Sequence, residues 1–337
     1  MKIKSNYSFS SLLGISHFFT DSIAAFALTT ISINSINIDN FFIDKYEGIQ
    51  LLGYFFLYNF IAFFMQIFVG YFLDKIIDNQ KFYDTSKMLI IFSFLFYILG
   101  TILLSISYFL AIISVGIGSC LFHIGAGNIS ILADENKATN LGIFASGGVV
   151  GLSFGGFCAL YFANIYLLVD LILIFIGYII FTNKSYKIES NSNINKYKNN
   201  NKYGEYLSVI VLILGLVLII RSSIWTYFQF ELFDNKLIIF YIAISAFIGK
   251  LSGGILEDSK YFKEKYLIYI GILSILFIYL YLHFINNLIF LLIGIVGIQM
   301  FISPITFMIY KLIPEKRSEI IGFTFGLSLI FGYLLVM

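Results

Sequence analysis

Charge is the scarcest property of this 337-residue chain: only 12% of its residues are Asp, Glu, Lys or Arg, and it has just two cysteines and three histidines. With 59% hydrophobic residues, 19% aromatics and a mean hydropathy of +0.92, the composition excludes a water-soluble domain of this length. Cys120 and Cys158 fall in apolar stretches without Cys-x-x-Cys or Cys/His spacing, so they are read as small core residues. His17, His123 and His283 show no metal-ligand spacing in the sequence, and neither a metal nor another cofactor is expected. No Gly-x-x-x-x-Gly-Lys phosphate loop is present, which excludes an ATP-driven motor on this chain. Nothing points to an enzyme or to nucleic-acid binding. Any energy the protein uses must come from an ion gradient or from the gradient of what it carries.

Long apolar runs are what the sequence does have. A bilayer core about 30 Å thick needs roughly 20 apolar residues per helical crossing. Eleven stretches qualify, at about 9–36, 48–73, 87–106, 109–133, 139–162, 165–183, 205–230, 237–257, 265–284, 287–311 and 318–337. The first is too long for a signal peptide and lacks a small-residue cleavage pattern. With a cytoplasmic N-terminus, 17 of the 21 basic residues fall inside, Lys45 and Lys236 fall outside, and Arg221 and Lys250 lie within stretches, as the positive-inside rule requires. The single long polar segment, 184–204, is rich in Asn, Lys and Ser and reads as a solvated cytoplasmic linker. It divides a six-helix bundle, 1–183, from a five-helix bundle, 205–337. Its lysines suit anionic lipid headgroups.

The two parts share a motif. Gly70-Tyr71-Phe72-Leu73-Asp74-Lys75 and Gly254-Ile255-Leu256-Glu257-Asp258 each end an apolar stretch. Glycine there lets a helix end approach its neighbour, and the acid can pair with a helix N-terminus or a cation. Gly70, Asp74 and Lys75, echoed by Gly254 and Asp258, resemble the cytoplasmic loop signature of the major facilitator superfamily. In the fifth stretch, Gly147-Gly148-Val149-Val150-Gly151-Leu152-Ser153-Phe154-Gly155-Gly156 is similar to the superfamily's drug/proton antiporter motif Gly-x-x-x-Gly-Pro-x-x-Gly-Gly, with Leu152 in place of proline. Gly147, Gly151, Gly155 and Gly156 serve either that motif or close helix packing.

Ser16-His17-Phe18-x-x-Asp21, Gly116-x-Gly118-Ser119-x-x-Phe122-His123 and the run from Leu141 to Gly156 resemble, within this superfamily, the fosmidomycin-resistance type of drug/proton antiporter. The resemblance covers residues 11–160. It departs after His123, where Ile124-Gly125 stand for the usual Pro-Glu. It implies a monomeric, all-helical facilitator fold of two pseudo-symmetric bundles rocking about a central site, in the cell membrane. Such folds usually have twelve helices, so helix 12 is expected to be absent here.

Ionisable residues in hydrocarbon cost about 2.5–3.5 kcal/mol each on insertion scales and should face a polar interior. His17 and Asp21, four apart, share one helix face, about 12–18 Å deep. They either carry and relay protons or lock a helix to its neighbour. His123 is the third candidate for proton coupling. Arg221, Trp225 and Gln229 form one stripe; the guanidinium suits an anionic substrate and, compatibly with that, a pairing with Asp21 across the bundles when no substrate is bound. Asn128 and Asn59 complete the substrate candidates, with Tyr58, Gln66 and Gln299 behind them. Lys250 is read as snorkelling to the cytoplasmic surface, and Asp170 and Glu231 as solvated. The functions considered are export of a small, anionic or drug-like molecule against protons, metabolite uptake by symport or facilitated diffusion, and a non-transporting membrane protein.

Overall fold

The computed structural model describes residues 7–35, 45–76, 81–162, 165–182, 206–232, 235–285 and 287–336; the segment 184–204, read as a linker, lies outside them. Among the described residues every apolar stretch is a helix and no strand occurs. α1 is Tyr7–Ser35. α2 runs from Lys45–Asn59 through a π turn, Phe60–Phe64, into Met65–Ile76. α3 is Phe82–Leu103, α4 Tyr108–Leu132, α5 Thr139–Tyr161, α6 Ile165–Thr182, α7 Leu207–Glu231 and α8 Lys236–Glu257. α9 is Lys265–Leu280 with a terminal π turn, Tyr281–Ile285. α10 comes in two pieces, Leu288–Gln299 and Ile302–Leu312. α11 joins Arg317–Ile321, a π turn Gly322–Leu327 and Ser328–Leu334. The first ten are long and apolar enough to cross a membrane; α11 is helical throughout but divided by its π turn.

Local chemistry sets these ends and breaks. Ser107, Asn235 and Asn287 cap α4, α8 and α10 by accepting hydrogen bonds from Leu110, Ile238 and Ile289 backbone N–H groups, satisfying donors that a helix start leaves free. α10 breaks at Met300 and Phe301 because Pro304 has no N–H to offer the Met300 carbonyl four residues back. That carbonyl lies against Gly253 of α8, where a side chain would collide with it.

α1 and α5 form a tight seam. A Cβ at Gly147, Gly151 or Gly155 would overlap the carbonyl oxygens of Gly14, Phe18 and Ser22 in turn, so the glycines at four-residue spacing let the two backbones touch. The structure thus gives these three glycines the packing role. Gly156 points elsewhere, its nearest outside atom being Thr29 Oγ1 at 3.5 Å. We expect Gly151→Leu to cost about 1–3 kcal/mol or more through overpacking and to lower the yield of monodisperse protein. Gly156→Ala should be neutral. Size-exclusion profiles and thermal unfolding of both variants check the contrast.

The helices before the 184–204 segment meet those after it along two lines. α2 packs on α11 and α5 packs on α8, a related arrangement that brings the ends of α2 and α8 beside the starts of α11 and α5.

Candidate functional site

At the end of α2, the Asp74 carboxylate accepts hydrogen bonds from the backbone N–H groups of Ser318 (3.1 Å) and Glu319 (2.8 Å) at the start of α11. At the end of α8, Asp258 accepts from the N–H groups of Ala138 (2.7 Å) and Thr139 (2.9 Å) at the start of α5, and from the Thr139 hydroxyl. Neither α5 nor α11 has a side-chain cap of its own from its N-cap residue, Ala138 or Lys316. Each is capped instead by the acid of a motif from the other part of the chain. Gly70 and Gly254 make this approach possible, because a Cβ would strike Ser318 at the first and Ala138 and Thr139 at the second. Lys75 takes no part in the cap; it is exposed and stacks on Tyr71, 5.7 Å from the ring centroid.

Further contacts seal the same end. Arg317 lies 3.7 Å from Glu135 and over the ring of Phe82. Asn128 donates to Ser318 Oγ at 2.9 Å, which places this substrate candidate in the closed contact between α4 and α11. Asn59 is turned to its own helix, donating to the Phe55 carbonyl. The π turns of α2 and α11 also touch one another, and such turns are common where helices carry function.

Deeper in, His17, Asp21 and His123 come together although the histidines are 106 residues apart. His17 Nε2 stands 3.2 Å from Asp21 Oδ2 and 3.1 Å from His123 Nε2. His17 Nδ1 is 2.8 Å from the Phe144 carbonyl oxygen and His123 Nδ1 2.8 Å from that of Ser119. A carbonyl only accepts, so both rings carry their hydrogen on Nδ1. Both Nε2 atoms then present lone pairs to each other at hydrogen-bond distance, and the contact is favourable only with a proton between them. That proton on His17 would be shared with His123 and balanced by Asp21. Gly148 leaves room for the group, since a Cβ there would overlap both His17 and Asp21. Tyr58 lies beside Asp21 and Ser119.

The three ligand atoms lie within 4.8 Å of one another, near enough to hold a metal ion, which sequence spacing alone did not suggest. Lys250 is in electrostatic reach of Asp21, so a divalent ion held there would share its one carboxylate with a nearby ammonium. A proton keeps the trio neutral.

Arg221 is buried, but it does not pair with Asp21. It donates from Nη1 to Gln299 Oε1 at 2.6 Å and from Nη2 to Ser222 Oγ at 2.9 Å. Trp225, one turn on, packs in an apolar cluster with Phe228, Ile242, Ala246 and, from α5, Val149; Gln229, a further turn away, is half-buried. Two readings of single residues are corrected. Lys250 does not snorkel outward: its ammonium donates to the Ala145 carbonyl of α5 at 3.2 Å. Asp170 is not solvated but buried, accepting from Thr101 Oγ1 at 2.7 Å. A charged residue inside a spanning stretch was the available signal for Lys250.

The sequence profile described as Major Facilitator Superfamily matches residues 10–336. Three crystal structures share the fold. One is the Escherichia coli fucose:proton symporter FucP in a single-substitution form, with TM-score 0.69 and 12% identity over 98% of this chain and 90% of that one. Another is FucP in the outward conformation, with TM-score 0.66 and 13% identity over 98% and 90%. The third is a bacterial homologue of the iron transporter ferroportin in an outward-facing state, with TM-score 0.59 and 15% identity over 97% and 90%. No curated protein matches in sequence. The chain belongs to the Major Facilitator Superfamily, a family of multi-pass membrane transporters rather than enzymes.

Proposed function

We propose that this member of the superfamily is a secondary transporter that exports a small anionic molecule in exchange for protons, by alternating access between the helices on either side of the 184–204 segment. The observation that carries the reading is the buried trio of His17, His123 and Asp21, whose hydrogen-bond directions leave a place for one proton. Arg221 is the substrate anchor, with Trp225 and Gln229 along the same stripe. The excess of basic residues supports placing the N-terminus and the paired Asp caps on the cytoplasmic side of the cell membrane. On that assignment the cytoplasmic end is closed, in keeping with the outward-facing states of two of the similar structures.

Export is supported by the resemblance of α1, α4 and α5 to the fosmidomycin-resistance type. The alternative is symport through the same trio, supported by the likeness to a fucose:proton symporter. Proteoliposomes loaded with a pH-sensitive dye separate the two. Outside addition of small organic anions that do not cross the bilayer unaided (succinate or glycerol phosphate) should make the lumen more alkaline under antiport and more acidic under symport. Saturable flux with no proton movement in either direction would refute coupling.

A further inference from the structure

From the polar groups around Arg221 we infer that Arg221, Gln299 and Lys250 form a subsite for an oxyanion carrying two negative charges. This rests on the reading of Arg221 as substrate anchor and names the class of ligand that anchor takes. Among the described residues no carboxylate pairs with Arg221 or Lys250. Arg221 is 94% buried by its 6% exposure, and its partners Gln299 and Ser222 are both neutral. An ion taken out of water costs several kcal/mol unless a counter-charge and hydrogen bonds offset it. Arg221 therefore lacks a group that would balance it, and Lys250 has only Asp21 in electrostatic reach, a carboxylate already engaged with His17.

The unfilled positions are all of one kind. Arg221 Nε and Gln299 Nε2 are buried without a hydrogen-bond partner, and the Lys250 ammonium, with three N–H bonds to give, has one carbonyl to receive them. Gln299 uses its oxygen to hold Arg221, so its amide can offer only N–H outward. A surplus of donors with no acceptor left over is complementary to a carboxylate or phosphate, whose oxygens only accept. Two cations set the charge: a monoanion would leave one uncompensated.

The backbone places Lys250 one residue from the contact of α8 with Gln299, which in turn holds Arg221. Gly249, the residue before Lys250, faces Gln299 so closely that a Cβ there would lie 2.8 Å from the Gln299 Cβ. Lys250 is within electrostatic reach of Arg221. On α5, the carbonyl that receives Lys250 belongs to Ala145, next to Phe144, whose carbonyl holds His17. An anion that drew Lys250 off Ala145 would act one residue from the support of the proton-carrying trio.

Trp225, the one tryptophan in the chain, is a single turn from Arg221 and reports binding by its fluorescence. Purified full-length protein is titrated with succinate, its monoamide succinamate, and glycerol phosphate at a pH where the first and third are dianions. Both dianions should bind about tenfold or more tighter than succinamate, the size of one good charge-assisted contact. Lys250→Gln should reduce that preference to near unity and Lys250→Arg restore most of it; Arg221→Gln should abolish binding of all three. A preference for only one dianion identifies carboxylate or phosphate as the source chemistry. Equal affinity for mono- and dianions, or a preference unchanged in Lys250→Gln, overturns the subsite while leaving anion transport standing. No binding of any anion, with no anion-driven proton flux, removes the transport reading as well.

Discussion

Asp21→Asn should abolish proton-driven accumulation in proteoliposomes while exchange of substrate for substrate across the membrane continues. The trio explains the difference. On the proposed reading, the proton shared between His17 and His123 is balanced by a carboxylate 3.2 Å from His17 Nε2. An amide has nearly the same shape and no charge, so the proton loses its counter-ion in a buried setting. Removing one partner of a buried ion pair costs about 3–5 kcal/mol. That is about a hundredfold or more in proton occupancy, and gradient-driven uptake should fall by a similar factor. Without the proton, two imidazole lone pairs face each other 3.1 Å apart, so the rings must turn and give up the carbonyls of Phe144 or Ser119. Exchange of substrate for substrate needs no net proton transfer and, with Arg221 as the proposed anchor, draws on a different helix. His123→Gln tests the same trio from α4 and should lose coupling too. Full proton coupling in Asp21→Asn would sink the assignment.

The fold was largely legible because a membrane span is a one-dimensional requirement. A run of apolar residues of the right length becomes a helix whatever its neighbours are; the stretch read at 139–162 is the helix Thr139–Tyr161. The paired motifs could be placed at helix ends for the same reason. Their partners could not: Ser318 lies 244 residues from Asp74, and nothing within either motif says which helix it will cap. The site was legible only where it obeys helical spacing. His17 and Asp21, four residues apart, were a pair in sequence as in structure. His123 joined the candidates as an intramembrane ionisable residue, but its place against His17 depends on how α1 and α4 are rotated.

Rotation is what an apolar sequence hides. A helix face turned to lipid and one turned to its neighbours are both hydrophobic, so a polar residue such as Lys250 or Asp170 can be assigned a depth but not a direction. Both were assigned to the surface, and both turn inward. The glycine run on α5 carries a related ambiguity. Its register matched a transport motif, yet the same spacing is what close contact with α1 demands.

Exchanging both cap acids, Asp74→Asn with Asp258→Asn, should open the end of the molecule that the two motifs close. Each carboxylate receives two backbone N–H groups at the start of a helix belonging to the other part of the chain. A side-chain cap is typically worth about 1 kcal/mol, and a negative charge at a helix N-terminus adds about 0.3–1 kcal/mol. Asparagine keeps an acceptor oxygen but loses the charge and one of the two bonds, so each single variant should weaken closure by about 1 kcal/mol. The caps lie on separate helix pairs and share no partner, so the effects should add. A shift of about 2 kcal/mol is about a thirtyfold change in the ratio of closed to open molecules. Polar contacts that remain there include Arg317 with Glu135, Asn128 with Ser318 and the Thr139 hydroxyl with the Gly254 carbonyl. Spin labels at the exposed positions Lys75 and Glu315, which lie near the end of α2 and the start of α11, report the separation directly. The double variant should show a population of longer distances that is small in each single variant and scarce in the wild type. An unchanged distance distribution in the double variant would mean that the acids only finish their helices, and that closure is carried by the apolar contacts between α2 and α11 and between α5 and α8.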